Sequence, residues 1–174
     1  MNEKQYKIVI NFCKKTKFRE RAISFLCEYS PIVVIGIYVI SIIYLLIEKD
    51  KRIFLFIIIP ALDLFFVSIL RNILNRPRPY DELNYTPLVK YKSGKGKSFP
   101  SRHTASGIII AMACLYINKT LGVFTMILGL LIGISRVIVG VHYIKDVIFG
   151  IIISIIFGYI GFFLFWLFMN INEY

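Results

Sequence analysis

Charged residues are scarce in this sequence, at 18% of 174 residues, against about 25% in a typical soluble domain. Hydrophobic residues make up 57% of the chain, and the mean hydropathy is +0.72. This composition excludes an ordinary soluble domain and predicts a multi-pass integral membrane protein, for which the cell membrane is the expected location. The length leaves room for one domain and for no separate soluble module.

Acidic residues and cysteines are also few. There are 10 Asp and Glu against 21 Lys and Arg, which gives a net charge of +11. The basic residues lie between apolar runs, where phospholipid head groups would be, so we expect the bilayer and anionic lipid as partners and no nucleic acid. The three cysteines, Cys13, Cys27 and Cys114, lack the paired spacing of metal ligands, and an odd number excludes a complete disulfide framework.

Five apolar runs approach the length of about 20 residues that a helix needs to cross a bilayer core. They are 31–48, 53–70, 104–117, 121–140 and 147–169, and the third is short. The predicted fold class is therefore all-α, a transmembrane helix bundle of about five spans. Gly129 and Gly133 have the spacing at which two helices approach closely, which favours a packing role. Asp63 lies inside the second run, where a hydrogen bond to a neighbouring helix is favoured over a substrate role.

The N-terminal region mixes apolar residues with a basic run that contains Lys14, Lys15, Lys17, Arg19 and Arg21. Burying these charges in lipid costs about 2.5–3.5 kcal/mol each, which excludes a span. An amphipathic helix over residues 6–28 that lies on the membrane surface keeps the charges in water. We therefore divide the chain into an interfacial segment, 1–30, and a membrane domain, 31–174.

Five spans bring two polar connections to the same membrane face. The connection 71–103 and the connection 140–146 emerge together, whereas 49–52 and 118–120 emerge on the other face. The first of these faces collects three polar blocks: Arg71 with Arg78-Pro79, then Pro100-Ser101-Arg102-His103, then Ser135-Arg136 with His142 and Asp146. Guanidinium groups stay charged and match phosphate oxygens in geometry, so this face predicts a phosphate-binding site.

The two histidines have different expected roles. His142 and Asp146 stand at i and i+4, so the carboxylate can bind one ring nitrogen and orient the other for attack on phosphorus. His103 is the expected general acid for the leaving lipid oxygen and the base for the water that follows. The phosphate oxygens are assigned to Arg71, Arg78 and Arg136, with a hydroxyl or a backbone amide from Ser101. Three guanidinium groups neutralise phosphate without a divalent cation, so we expect no metal and no cofactor.

The three blocks resemble the signature of the type 2 phosphatidic acid phosphatase family, which shares its site with vanadium-dependent haloperoxidases and bacterial acid phosphatases. The family pattern is Lys-x6-Arg-Pro, Pro-Ser-Gly-His and Ser-Arg-x5-His-x3-Asp. The third block matches in full, from Ser135 to Asp146. The resemblance implies that 31–174 is a membrane phosphatase domain. It also implies the nucleophile His142, its partner Asp146, the acid His103, and the phosphate ligands Arg71, Arg78, Ser101 and Arg136.

Two positions depart from the family pattern: Arg71 replaces lysine, and Arg102 replaces glycine. The first change keeps the charge and alters its shape. The second removes the residue that permits the closest backbone approach to phosphate. Arg102, which we count among the phosphate-binding residues, either weakens the site or reaches a second phosphate, and the second possibility favours a diphosphate substrate.

Three functions remain open from the sequence. The first is hydrolysis of a lipid phosphate, with polyprenyl diphosphate, phosphatidylglycerol phosphate and phosphatidic acid as the candidates that the resemblance implies. The second is a phosphotransferase that uses the same histidine, and the third is a non-catalytic lipid-binding membrane protein. The side of the site is open too, because the basic residues favour a cytoplasmic face and the resemblance implies the opposite.

Overall fold

The computed structural model describes residues 1–91, 93–94 and 96–164, and this part of the chain contains helices and loops without a strand. The helices are α1 (Glu3–Lys14), α2 (Lys17–Ile47), α3 (Ile53–Leu74), α4 (Pro79–Glu82), α5 (Arg102–Ile117), α6 (Lys119–Ile138) and α7 (Ile144–Gly158), followed by a π-helical segment (Tyr159–Leu164). Four helical segments, which begin at Lys17, Ile53, Lys119 and Ile144, are long and apolar enough to cross a membrane, and α5 is a shorter apolar helix. The predicted multi-span helical bundle is confirmed.

Helix α5 forms the centre of the bundle. It packs against α2, α3, α6 and α7, and most of its residues from Thr104 to Cys114 are buried. A helix surrounded by protein does not have to match the thickness of the lipid, which explains why the third span is short. A Cβ atom on Gly107 would lie 3.0 Å from the Cα atom of Gly129, and one on Gly133 would lie 2.8 Å from Val147 Cγ1. The predicted packing role of Gly129 and Gly133 is therefore confirmed.

The N-terminal region differs from the expectation of one helix over 6–28. The helix is interrupted between α1 and α2, where the Thr16 side chain accepts a hydrogen bond from the Arg19 amide and caps α2. Helix α2 then continues through residue 30 without interruption, because Cys27, Ser30 and Val34 form one buried stripe at helical spacing. The boundary between 1–30 and 31–174 thus lies inside a helix, and the interfacial position of 1–30 stays a prediction.

The other spans begin and end within a few residues of their predicted limits. The last predicted span, 147–169, begins earlier, at Ile144, and residues 165–169 lie outside the described residues. Asp63 on α3 is fully buried, and the Ser154 hydroxyl on α7 donates a hydrogen bond to Asp63 Oδ2 at 2.9 Å. The hydrogen bond between neighbouring helices that the sequence favours is therefore present.

One end of the bundle carries all three polar blocks. Arg71 lies in the last turn of α3, and Ser101 precedes the first residue of α5. Arg136 lies in the last turn of α6, and Asp146 lies in the first turn of α7. The antiparallel packing of these helices brings distant parts of the sequence to one surface.

Candidate active site

His142 lies in the turn between α6 and α7, and its side chain is almost fully buried, at 2% exposure. Its Nδ1 atom lies 3.4 Å from Asp146 Oδ2. The same carboxylate oxygen accepts hydrogen bonds from the Tyr143 amide, at 3.0 Å, and from the Ser98 hydroxyl. Because these donors fix the carboxylate and the carboxylate faces Nδ1, the Nε2 atom of His142 is the ring nitrogen left for chemistry.

The surroundings of His142 keep its imidazole neutral. Burial, together with the positive charge of Arg78, lowers the pKa of His142 to about 4, although the hydrogen bond to Asp146 acts in the opposite direction. A neutral imidazole has the lone pair that a nucleophile needs. The site therefore holds His142 neutral at neutral pH, the state that a nucleophilic role requires.

Backbone carbonyl groups hold the three predicted arginines. Arg71 Nη1 donates to the Pro100 carbonyl at 2.6 Å, and Arg136 Nη2 donates to the Cys27 carbonyl at 2.9 Å. Arg78 makes longer bonds, 3.4 Å from Nε to the Gly96 carbonyl and 3.5 Å from Nη1 to the Val141 carbonyl. Across the described part of the chain, none of the three forms a salt bridge with a carboxylate. Their positive charge is available to an oxyanion.

The start of α5 distinguishes between the two contributions predicted for Ser101, a hydroxyl or a backbone amide. Ser101 is fully buried, and its amide donates to the Asp146 carbonyl at 2.9 Å. The Ser101 hydroxyl accepts a hydrogen bond from Thr104 Oγ1 at 2.9 Å and caps no amide of the helix. Of the two contributions predicted for Ser101, the amide is therefore occupied and only the hydroxyl is open. The uncapped first amides of α5 make its N-terminus favourable for an anion.

Two cavities open beside Arg78, which lines both. The larger, of about 550 Å³, is also lined by Arg71, Lys97 and Arg102. The smaller, of about 240 Å³, is lined by His103 and Arg136 among others. The structure thus brings the predicted arginines and His103 around one guanidinium group. His142 lines neither cavity, in agreement with its burial.

Sequence reasoning missed Ser98, whose hydroxyl lies 3.5 Å from His142 Nδ1 and bonds to Asp146. The glycine- and lysine-rich segment before it, 94–97, predicts an attraction to anionic lipid or a solvated loop. The contact arises because the Ser98 amide donates to the Arg76 carbonyl at 2.8 Å, which folds the segment back over the site. No spacing in the sequence signals this fold, so the residue could not have been found from the motifs.

Within the described residues, no three His, Cys, Asp or Glu side chains gather as a metal site. Metal independence itself stays a prediction, which rests on the three arginines and needs a measurement with chelator.

The described site lies within the part of the chain that matches a known family. The model of the PAP2 superfamily matches residues 52–172. Over 86 residues the chain is 37% identical to undecaprenyl-diphosphatase BcrC of Bacillus subtilis (strain 168), and the matched residues make up 49% of this chain and 44% of that protein. Over 137 residues it is 28% identical to lipid A 4'-phosphatase of Bacteroides thetaiotaomicron, and this match spans 71% of this chain and 61% of that protein. The chain matches less than two thirds of the length of each relative.

Two solved structures share the architecture. The crystal structure of Aquifex aeolicus LpxE superimposes with a TM-score of 0.72 at 25% identity, over 92% of this chain and 93% of that one. The PAP2 type phosphatidylglycerolphosphate phosphatase of Bacillus subtilis superimposes with a TM-score of 0.54 at 22% identity, over 95% of this chain and 92% of that one. The second likeness supports the fold alone.

Proposed function

Because this chain belongs to the PAP2 superfamily, we propose that it is a membrane lipid phosphatase that hydrolyses a phosphate or diphosphate monoester of a lipid through a phosphohistidine intermediate. The observation that carries the proposal is the buried pair of His142 and Asp146, with Nδ1 facing Oδ2 at 3.4 Å. It lies on the face where three arginines meet that have no carboxylate partner among the described residues. This arrangement fits a nucleophile and the residue that orients it.

The chemistry divides into two steps. Burial and the nearby arginines lower the pKa of His103 to about 3, so His103 takes up its proton once a bound phosphate anion neutralises those arginines. Nε2 of His142 attacks phosphorus, the bond between phosphorus and the leaving oxygen breaks, and His103 gives that oxygen its proton. Water then attacks the phosphohistidine and gives a proton to His103, which releases inorganic phosphate and restores His142. The guanidinium groups of Arg71, Arg78 and Arg136 stabilise the charge on the phosphoryl oxygens in both steps. Arg78 can exchange its long bonds to the Gly96 and Val141 carbonyls for bonds to the phosphate.

The larger cavity supports a diphosphate lipid as the substrate. Arg102 and Lys97 line it together with Arg71 and Arg78, which is more positive charge than one phosphoryl group requires. With a polyprenyl diphosphate, His142 would attack the terminal phosphorus, and the leaving group would be the lipid monophosphate, whose charge Arg102 and Lys97 neutralise. Phosphatidylglycerol phosphate and phosphatidic acid are the alternatives.

The test is phosphate release by the full-length protein in detergent, with chelator present and no added acceptor, from these three lipids. We expect His142→Ala to abolish release and His103→Ala to reduce kcat by about 10²- to 10⁴-fold. Lys119→Ala, on the opposite face, serves as the control with unchanged release. Absence of release from all three lipids, or activity that depends on an added divalent cation, would contradict the proposal.

The same panel tests the role of Arg102. We expect Arg102→Gly to lower kcat/KM for the diphosphate lipid about tenfold relative to the monophosphate lipids, because it removes one charged hydrogen bond. An unchanged ratio would show that Arg102 does not select a diphosphate, while release by the unmutated protein would still support the phosphatase.

A further inference from the structure

Helix α1 contacts the turn that carries the nucleophile. Tyr6 of α1 is fully buried, and its hydroxyl donates a hydrogen bond to the backbone carbonyl of His142 at 3.1 Å. Burial, with the nearby charge of Asp146, raises the pKa of Tyr6, so the hydroxyl remains protonated and remains a donor. The helix that the sequence suggested as a membrane-surface segment thus also reaches the site.

A second tyrosine holds the same turn. The Tyr85 hydroxyl donates to the Gly140 carbonyl at 2.8 Å. The rings of Tyr6 and Tyr85 stack, with centroids 4.9 Å apart and planes 13° apart, and the ring of Tyr143 meets Tyr6 edge-on at 6.2 Å. Gly140 has a φ of +82°, and a Cβ atom there would lie 2.8 Å from the Tyr85 ring. The tyrosines therefore fit closely against a turn that only glycine permits.

The opposite edge of the turn is held from α6. The amides of Val141 and His142 donate to the Arg136 carbonyl at 3.1 and 3.3 Å. The backbone of His142 is then fixed on both sides, through its amide by α6 and through its carbonyl by Tyr6. Because the backbone determines where the ring can lie, this clamp determines the distance from Nδ1 to Asp146 and the direction of Nε2.

We propose that Tyr6 is a positioning residue for the His142 nucleophile. Helix α1 then contributes to the active site and is also a candidate membrane-surface helix. Tyr6 lies outside residues 52–172, the part that matches the family model, so this contact is additional to the family motifs. The kinetic consequence of this proposal rests on the proposed function. The effect of Tyr6 on the position of the His142 imidazole rests on geometry alone.

The kinetic test uses Tyr6→Phe, which keeps the ring stack and removes one hydrogen bond. We expect kcat for phosphate release to fall about five- to tenfold, as for one lost hydrogen bond, with KM unchanged because Tyr6 does not line either cavity. Tyr29→Phe is the matched control, since Tyr29 is exposed and stacks on Phe25. Tyr6→Phe kinetics equal to those of Tyr29→Phe, or a raised KM with unchanged kcat, would overturn the proposal.

A second measurement does not require activity. The chain contains two histidines, so ¹⁵N-histidine spectra of the whole protein in detergent give two sets of ring signals, which His142→Ala assigns. We expect Tyr6→Phe to change the ring signals of His142 and to leave those of His103 in place. Unchanged His142 signals would overturn the positioning role even if phosphate release were never observed, whereas a protein without release that shows the change would contradict only the proposed function.

Discussion

In the proposed mechanism, the charge around His142 determines the pH at which the site loses its nucleophile. Burial and Arg78 both lower the pKa of His142, to about 4, against the opposing effect of Asp146. Protonation removes the lone pair that attacks phosphorus, so a lowered pKa keeps the nucleophile available at pH values where an ordinary histidine is already protonated. Under the proposed function, Arg78 therefore acts both on the phosphate and on the nucleophile.

Removing the charge of Arg78 should move the acid limb of kcat/KM to higher pH. In Arg78→Gln the positive charge that opposes protonation is gone, so the pKa of His142 rises and the nucleophile is lost earlier as the pH falls. The variant should also lose about 10²- to 10³-fold in rate, as for one oxyanion donor. The measurement is kcat/KM against pH for both proteins with one substrate, so that the phosphate's own titration cancels.

Lys119→Gln removes a positive charge on the other face and should leave the acid limb in place. An acid limb that stays still or moves to lower pH in Arg78→Gln would show that His142 is not the group that titrates.

At this scale the sequence predicted the motif residues and missed their partners. Fixed spacings predicted His142, Asp146 and the arginines, because each block spans only a helix end and the short connection beside it. Ser98 and Tyr6 depend on how a loop and a terminal helix fold over the site, and no local pattern records that. Ser101 shows the intermediate case, since its position was predicted but its amide is used by Asp146.

Among the elements, α3 and α7 each carry one part of the site at one end and one partner of a buried hydrogen bond further along. Asp63 lies roughly two turns before Arg71, and Ser154 lies roughly two turns after Asp146. The bond between Asp63 and Ser154 therefore fixes the two helices in register about two turns from the site. Arg71 and Asp146 depend on that register because both helices are rigid over two turns.

Breaking this bond should lower stability modestly. We expect Asp63→Leu and Ser154→Ala each to destabilise the protein by about 1 kcal/mol, within the range of hydrogen bonds between membrane helices, which corresponds to a Tm about 2–4 °C lower in detergent. The double variant should lose no more than the larger single loss, because both changes remove the same bond. Thermal unfolding of the four proteins measures this.

Ser68→Ala is the matched control, because the Ser68 hydroxyl bonds to the Leu64 carbonyl of its own helix. A loss in that variant as large as in Ser154→Ala, or fully additive losses in the double variant, would show that the contact between the helices contributes nothing.

The spans themselves were the most predictable elements, because hydropathy and length report directly on the bilayer. The start of α2 was not predictable in the same way. The charged residues between 17 and 30 argue against a span by their number, but the composition does not show that Cys27 and Ser30 continue the buried stripe of α2. The central position of α5 was also hidden, since burial by protein and burial by lipid favour the same residues.

For the whole molecule, the helix order requires that the connection from α3 to α5 and the connection from α5 to α6 lie on opposite faces. Lys90 belongs to the first connection and Lys119 begins α6, and both are exposed. Cys13, Cys27 and Cys114 are all buried and free, so the unmutated protein should react little with a thiol reagent. These features make a topology measurement possible with one substitution at a time.

In sealed vesicles that keep the orientation of the cell membrane, a maleimide that does not cross the membrane should label Lys90→Cys and Lys119→Cys from opposite sides. Labelling of both from one side would refute the bundle topology, because α6 would then carry Arg136 and His142 to the face opposite His103. The side that labels Lys90→Cys also decides between the two orientations of the site. Labelling of Lys90→Cys from outside would place phosphate release outside the cell, against the distribution of basic residues. Labelling of Lys90→Cys only from inside would agree with that distribution, because lysine and arginine are retained on the cytoplasmic side.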